Sequence, residues 1–128
     1  MKIQDYQLSA NFMASEFACK CGCGFGMKPG DVDPRLIIGL QTIRRWLGVP
    51  LHINSGCRCA KHNASIEGSS SKSQHMLGKA ADVSGAPIRE IEKCAEQIPV
   101  FIQGGIGLYP SKKFVHLDVR GEKKRWTL

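Results

Sequence analysis

Two histidines and one aspartate carry the chemistry this sequence can do. His75 and Asp82 lie in the run SQHMLGKAAD, and His116 lies in FVHLD near the end of the chain. Two imidazoles and one carboxylate are the ligand set of a catalytic zinc site, which keeps a fourth position open for water. Zinc held this way makes hydroxide available near neutral pH and polarises an amide carbonyl, so the three side chains, if they meet, point to a hydrolase. Taken singly, the same residues read as a loop histidine, a strand-end aspartate and a histidine packed in a sheet.

Whether they meet depends on the elements that carry them. Residues 80–83 read as a strand whose alternation sends Asp82 to the face opposite Ala81 and Val83. Six residues separate His75 from Asp82, so His75 sits on the loop before that strand, while His116 arrives on a distant one. Metal binding is thereby coupled to correct folding. The clearest helix opens at Asp33-Pro34, places Leu36, Leu40, Ile43 and Leu47 on one face, and stops at Gly48. Residues 51–54 read as a short strand, which Ser55-Gly56 turns into a loop region over 57–73. A second helix is expected from Ile88 to about Ile98, and an antiparallel pair over 106–109 and 114–119. The fold class is α+β, a small antiparallel sheet with packed helices. Residues 1–30 form an extended arm anchored by Phe12, Phe17 and Phe25, residues 31–128 the core, and the whole a single domain.

A chain of 128 residues can bury a real core but holds no separate recognition module. Its 42% hydrophobic and 23% charged residues exclude global disorder and fibrous classes. Formal net charge is +7, which favours polyanionic partners. The basic residues are scattered and lack a helix-turn-helix or base-stacking motif, so no specific nucleic-acid binding is expected. No membrane insertion is expected either, since no run is long and apolar enough. The N-terminus lacks a signal-peptide core, so the chain is expected to be cytoplasmic as synthesised, and a target outside the cell needs another exit route.

SGCRCAKHN, SKSQHMLGKAADV, GGIGLYP and FVHLDVRGEKKRW follow one another as in the zinc D-Ala-D-Ala carboxypeptidase-like peptidases, family M15. Over about residues 12 to 126 the chain most resembles the short phage and murein-endopeptidase-like branch of that family. The pattern Ser-x-His-x-x-Gly-x-Ala-x-Asp is matched by Ser73, His75, Gly78, Ala80 and Asp82. The resemblance implies the hedgehog and D-Ala-D-Ala-peptidase-like zinc fold, with His75, Asp82 and His116 as ligands of one catalytic zinc ion. It implies peptidoglycan stem peptides as substrate, cut as a D,D-carboxypeptidase or an endopeptidase. Arg58 matches the family's Ser-Gly-x-Arg element, where the arginine holds the substrate carbonyl or terminal carboxylate, a task that suits its fixed fork of donors. Ser73 is expected to add a hydroxyl near the metal, and Asn63 to fix the loop carrying Arg58.

Relatives place an acid three residues before the last ligand, or a histidine two before it, and here those positions are Lys113 and Phe114. Asp118 shares a strand face with His116, and two roles stay open for it: general base, or an acceptor that orients a ligand imidazole. Glu67 and Glu122 are more distant candidates. The expected context is a phage lysis enzyme released by a holin-type partner. The alternative is a noncatalytic zinc domain that binds the cell wall or a protein.

The six cysteines admit three readings: reduced packing residues, a second, structural zinc if the arm folds against Cys57 and Cys59, or a disulfide between arm and loop. Cys94 reads as a small buried apolar residue. His52 and His62 read as surface or packing residues, GGIGLYP as a turn shaping the cleft wall, and Lys123 to Trp126 as a solvated basic tail with the indole packed beneath.

Overall fold

The computed structural model describes residues 4–66 and 69–128. Helix α1, Pro34–Leu47, begins where its sequence says it should. Asp33 accepts the Arg35 N–H at 2.9 Å, and Pro34 occupies the first turn, where a missing N–H removes nothing. Gly48 ends the helix in the left-handed region at φ 67. Leu36, Ile37, Leu40 and Ile43 are buried. Each such side chain contributes about 1.5–3 kcal/mol, against about 1 kcal/mol for a cap, so packing rather than capping holds α1 in place.

Asp33→Ala is accordingly expected to cost about 1 kcal/mol at neutral pH. The hydrogen bond from the Arg35 side chain holds the Asp33 carboxyl below its usual range. Its contribution is therefore complete above the unfolded carboxyl's pKa and fades as the pH falls through the depressed folded value. Denaturant melts of wild type and variant should differ at neutral pH and converge in acid.

The arm folds as a hairpin of β1, Gln7–Ser9, and β2, Phe12–Met13, followed by a 3-10 turn over Ala14–Phe17. Phe12 and Phe17 meet edge to face at 5.9 Å in the core, and Phe25 is half-buried against it. Gln41, buried on α1, ties the arm down. Its Oε1 accepts the Asn11 N–H at 2.9 Å and the Ser9 hydroxyl at 2.6 Å, and its Nε2 donates to Asn11 Oδ1 at 2.7 Å.

The main sheet has five strands: β3 (His52–Ser55), β4 (Ala80–Ser84), β5 (Gly105–Tyr109), β6 (Phe114–Asp118) and β7 (Lys124–Thr127). Their order is β3-β4-β6-β5-β7, antiparallel throughout except for the parallel pair β5 and β7. α1 packs on α3 (Ile88–Ala95) and α4 (Pro99–Ile102), which lie against β5 and β6. The class is α+β, as expected from the sequence.

Three local expectations are corrected. The helix expected over 88–98 breaks after Ala95, because Ile98 precedes Pro99 and is pushed to extended backbone at φ −109, ψ 116. A short helix α2, Ala60–Ser65, stands within the region read as loop. The basic tail is β7. Arg125 holds it with a fork to Glu96 at 2.7 and 3.0 Å and with bonds to the carbonyls of Phe101, Ile102 and Gly104.

Candidate metal centre

Asp82 and His116 face one another as register partners on β4 and β6, two neighbouring interior strands of the sheet. Strand alternation puts both side chains on one face. His75 arrives from a 3-10 turn, Gln74–Leu77. Ser73 caps that turn by accepting the His75 N–H at 3.2 Å, and Gly78 closes it in the left-handed region. Asp82 Oδ1 lies 3.3 Å from His75 Nε2 and 3.1 Å from His116 Nδ1. All three residues are buried, at 2%, 5% and 7% exposure for His75, Asp82 and His116.

A second layer decides which nitrogens face the centre. His75 Nδ1–H donates to the Gly56 carbonyl at 2.6 Å, which turns the Nε2 lone pair toward Asp82. His116 Nε2–H donates to Asp118 Oδ2 at 2.7 Å and so presents Nδ1. With both imidazoles neutral, two lone pairs and a carboxylate oxygen converge with no proton between them. Such a donor set calls for a cation, and imidazole nitrogens with one carboxylate suit zinc. Outside the metal-bound state, burial opposes ionisation of Asp82, but protons shared with His116 and His75 outweigh it and hold the carboxyl well below the usual range. Burial opposes the charge on His116 too, yet Asp118 and Asp82 raise its pKa.

Asp118 is wholly buried and fully engaged. Besides His116 it accepts two bonds from the Arg120 guanidinium, at 2.9 and 2.6 Å, one from the Arg120 N–H at 3.2 Å, and one from the Gly105 N–H at 2.8 Å. Burial disfavours its charge, but His116 and Arg120 hold the carboxyl well below the normal range. Gly105 is glycine for a steric reason, since a Cβ there would run into this carboxylate. Gly105→Ala is expected to push Asp118 off His116 and lower zinc affinity by roughly 10- to 100-fold. Competition with a chromophoric chelator measures it. Gly107 likewise makes room for the Trp126 ring, whose centroid lies 5.0 Å from that of His116 and whose Nε1–H donates to the Tyr109 hydroxyl at 3.0 Å.

Arg58 stands beside the triad with its side chain nearly buried. Nη2 donates to Asp82 Oδ2 at 3.2 Å, Nη1 to Asn63 Oδ1 at 3.3 Å and Nε to Ser55 Oγ at 3.0 Å. Asn63 in turn donates to the Ser70 carbonyl at 2.8 Å, so it links α2 and the following loop to the arginine. The Ser73 hydroxyl is occupied at the turn that carries His75. Lys113 is exposed in the β5–β6 turn at φ 59, and Phe114 stacks on Tyr109 with centroids 4.5 Å apart. Glu122 is exposed, and Glu67 lies outside the described residues. His52 is exposed on β3 and His62 half-buried on α2. Neither is among the residues that converge with the triad, among those described. Reading by sequence missed Arg120, Gly105 and the Gly56 carbonyl. The run HLDVR did carry a signal, because an arginine two residues beyond a strand aspartate can fork onto it.

The chain as a whole is similar in sequence to known proteins. The peptidase M15 family model matches residues 10–118, and the chain belongs to that family. It is 31% identical over 104 residues to the probable peptidoglycan L,D-endopeptidase MepK of Haemophilus influenzae, covering 74% of this chain and 54% of that protein. It is 33% identical over 104 residues to the peptidoglycan L,D-endopeptidase MepK of Escherichia coli, covering 75% of this chain and 55% of the relative. The chain thus spans about half the length of these curated relatives.

Proposed function

We propose that the protein is a zinc-dependent peptidase that cuts the stem peptides of bacterial peptidoglycan, as an endopeptidase. The observation that carries this reading is the convergence of His75 Nε2, Asp82 Oδ1 and His116 Nδ1, each turned inward by its own second contact. Membership of a peptidase family supports hydrolysis, and the activity for which the relatives are named supports the substrate and the internal cut.

Zinc held by the three residues would activate water near neutral pH and polarise an amide carbonyl. The protein's own residues supply the remainder. Arg58 has five N–H donors, and three of them are engaged with Ser55, Asn63 and Asp82. The other two can donate to the oxygen of the scissile carbonyl as it gains charge. Because Asp82 holds His75 and His116 through one oxygen and Arg58 through the other, the guanidinium is fixed relative to the ligand set before substrate arrives. Asp118 keeps the His116 ring in the tautomer that exposes Nδ1 and strengthens it as a donor, the orienting role of the two the sequence allows. Its four further contacts argue against it as a mobile proton carrier.

Mass spectrometry of muropeptides released from purified peptidoglycan tests this reading. Wild type with zinc should release peptides, and chelator or His116→Ala should abolish release. Zinc bound at full occupancy with no release from any wall type would leave the noncatalytic zinc domain as the function.

A further inference from the structure

A second group of metal-ligating side chains lies outside the triad. Cys19, Cys21 and Cys23 of the arm meet Cys59 at the start of α2, and their four sulfurs lie within 4.8 Å of one another. Two of the separations are 3.4 Å, between Cys19 and Cys21, and 3.6 Å, between Cys21 and Cys59. Four sulfurs at about 2.3 Å from a zinc ion stand about 3.8 Å apart in a tetrahedron, so the cluster already has nearly the size a zinc ion requires.

The local backbone builds this arrangement. On a regular strand, residues two apart are separated by about 6.8 Å, too far for alternate cysteines to share one ion. Gly22 and Gly24 take φ 82 and 93, where other residues are strained, and curl the CKCGCG run so that its three sulfurs come together. Main-chain donors also point at sulfur: the Cys59 N–H to Cys19 Sγ and the His62 N–H to Cys59 Sγ, both at 3.4 Å. Contacts of this kind stabilise thiolates, the form that binds metal. A disulfide needs sulfurs about 2.05 Å apart, and it would draw two members out of a group in which all four are mutually close. Cys57 behaves differently. Its side chain is buried, its thiol donates to the Asp31 carbonyl at 4.0 Å, and it is not one of the four that converge.

We propose that Cys19, Cys21, Cys23 and Cys59 bind one structural zinc ion as a tetrathiolate, which clasps the arm to the loop that carries Arg58. The clasp extends a seam already formed by the Cys57 N–H donating to the Phe17 carbonyl at 2.8 Å. Arg58 follows directly, its N–H donating to the His75 carbonyl at 3.0 Å. A metal on the four sulfurs therefore restrains the segment from which both Arg58 and the His75 turn are held, and it adds folding free energy of its own.

Cobalt(II) reports sulfur ligation directly, through intense sulfur-to-metal charge-transfer absorption in the near ultraviolet that nitrogen and oxygen ligands do not give. The full chain, kept reduced with a non-chelating phosphine, should take up two cobalt ions, one of them with that absorption. His116→Ala should keep the absorption and lose the other ion. Cys59→Ser and Cys21→Ser should each lower the absorption and weaken cobalt binding at that site while keeping the triad's ion, and Cys94→Ser should change neither. Cys21 is exposed, so its variant serves if the change at Cys59 unsettles the loop. Uptake of a single ion without charge transfer overturns the proposal, and so does absorption that neither cysteine change diminishes. Because the triad's ion is counted separately, either outcome leaves the catalytic reading to its own test.

Discussion

Exchanging Asp118 for Asn is expected to weaken zinc binding by roughly 10- to 100-fold, yet to leave turnover near the wild-type level once zinc is saturating. The amide keeps the size of the carboxylate but not its charge, and its NH2 group cannot accept. Three donors meet the Oδ1 position, so the amide oxygen stays there and the NH2 group faces His116, which loses the acceptor that fixes its tautomer, while Arg120 loses the anion to which it is forked. Breaking a buried charge pair in this way costs about 3–5 kcal/mol when the remaining charge stays buried. Arg120 is half-buried, and water can reach it after a small movement, so the loss of stability should fall below that range. Chelator competition gives the affinity, and kcat at saturating zinc gives the second half of the prediction. If turnover collapsed while zinc affinity held, Asp118 would be the proton carrier and the orienting role would be wrong.

Arg58→Lys should lower kcat by roughly 10²- to 10³-fold with zinc affinity little changed. Lysine preserves the charge, but one ammonium cannot reach Ser55, Asn63 and Asp82 together while still offering donors to a substrate oxygen. The division between kcat and KM identifies what the guanidinium holds. A fall in kcat at similar KM means that it acts on charge developing at the scissile carbonyl. A rise in KM alone means that it binds a terminal carboxylate in the ground state, which would favour carboxypeptidase cleavage over an internal cut.

Much of the scaffold could be read from the chain because its signals were local. Asp33-Pro34 and Gly48 delimit α1 by capping chemistry that needs no partner. The pattern around Asp82 and His116 reads as two strands whatever lies between them. What was not legible depended on closure of the sheet. β7 hides behind charge: Lys124 and Arg125 look solvated until Arg125 meets Glu96 and three carbonyl groups, partners supplied by segments more than 20 residues away. Pro99 did carry a local signal for the break at Ile98, but the apolar periodicity of 88–98 masked it. The role of Asp118 likewise stayed divided between two readings, because its surroundings depend on Gly105 arriving from the next strand.

The pairing of Asp82 with His116 across β4 and β6 divides the centre into a stiff half and an adjustable half. Two of the three donors are spaced by the ladder itself, so their separation cannot drift without unpairing the middle of the sheet. His75 and Arg58 stand outside the strands instead, joined to one another by a single main-chain bond and to the sheet through Asp82 and, for Arg58, Ser55 of β3. Changes in loop length among homologues, or the strain of seating a bulky glycopeptide, would be absorbed on that side. Selection could therefore retune what reaches the proposed centre by altering residues 56–78, with no change to the rung that pairs Asp82 with His116.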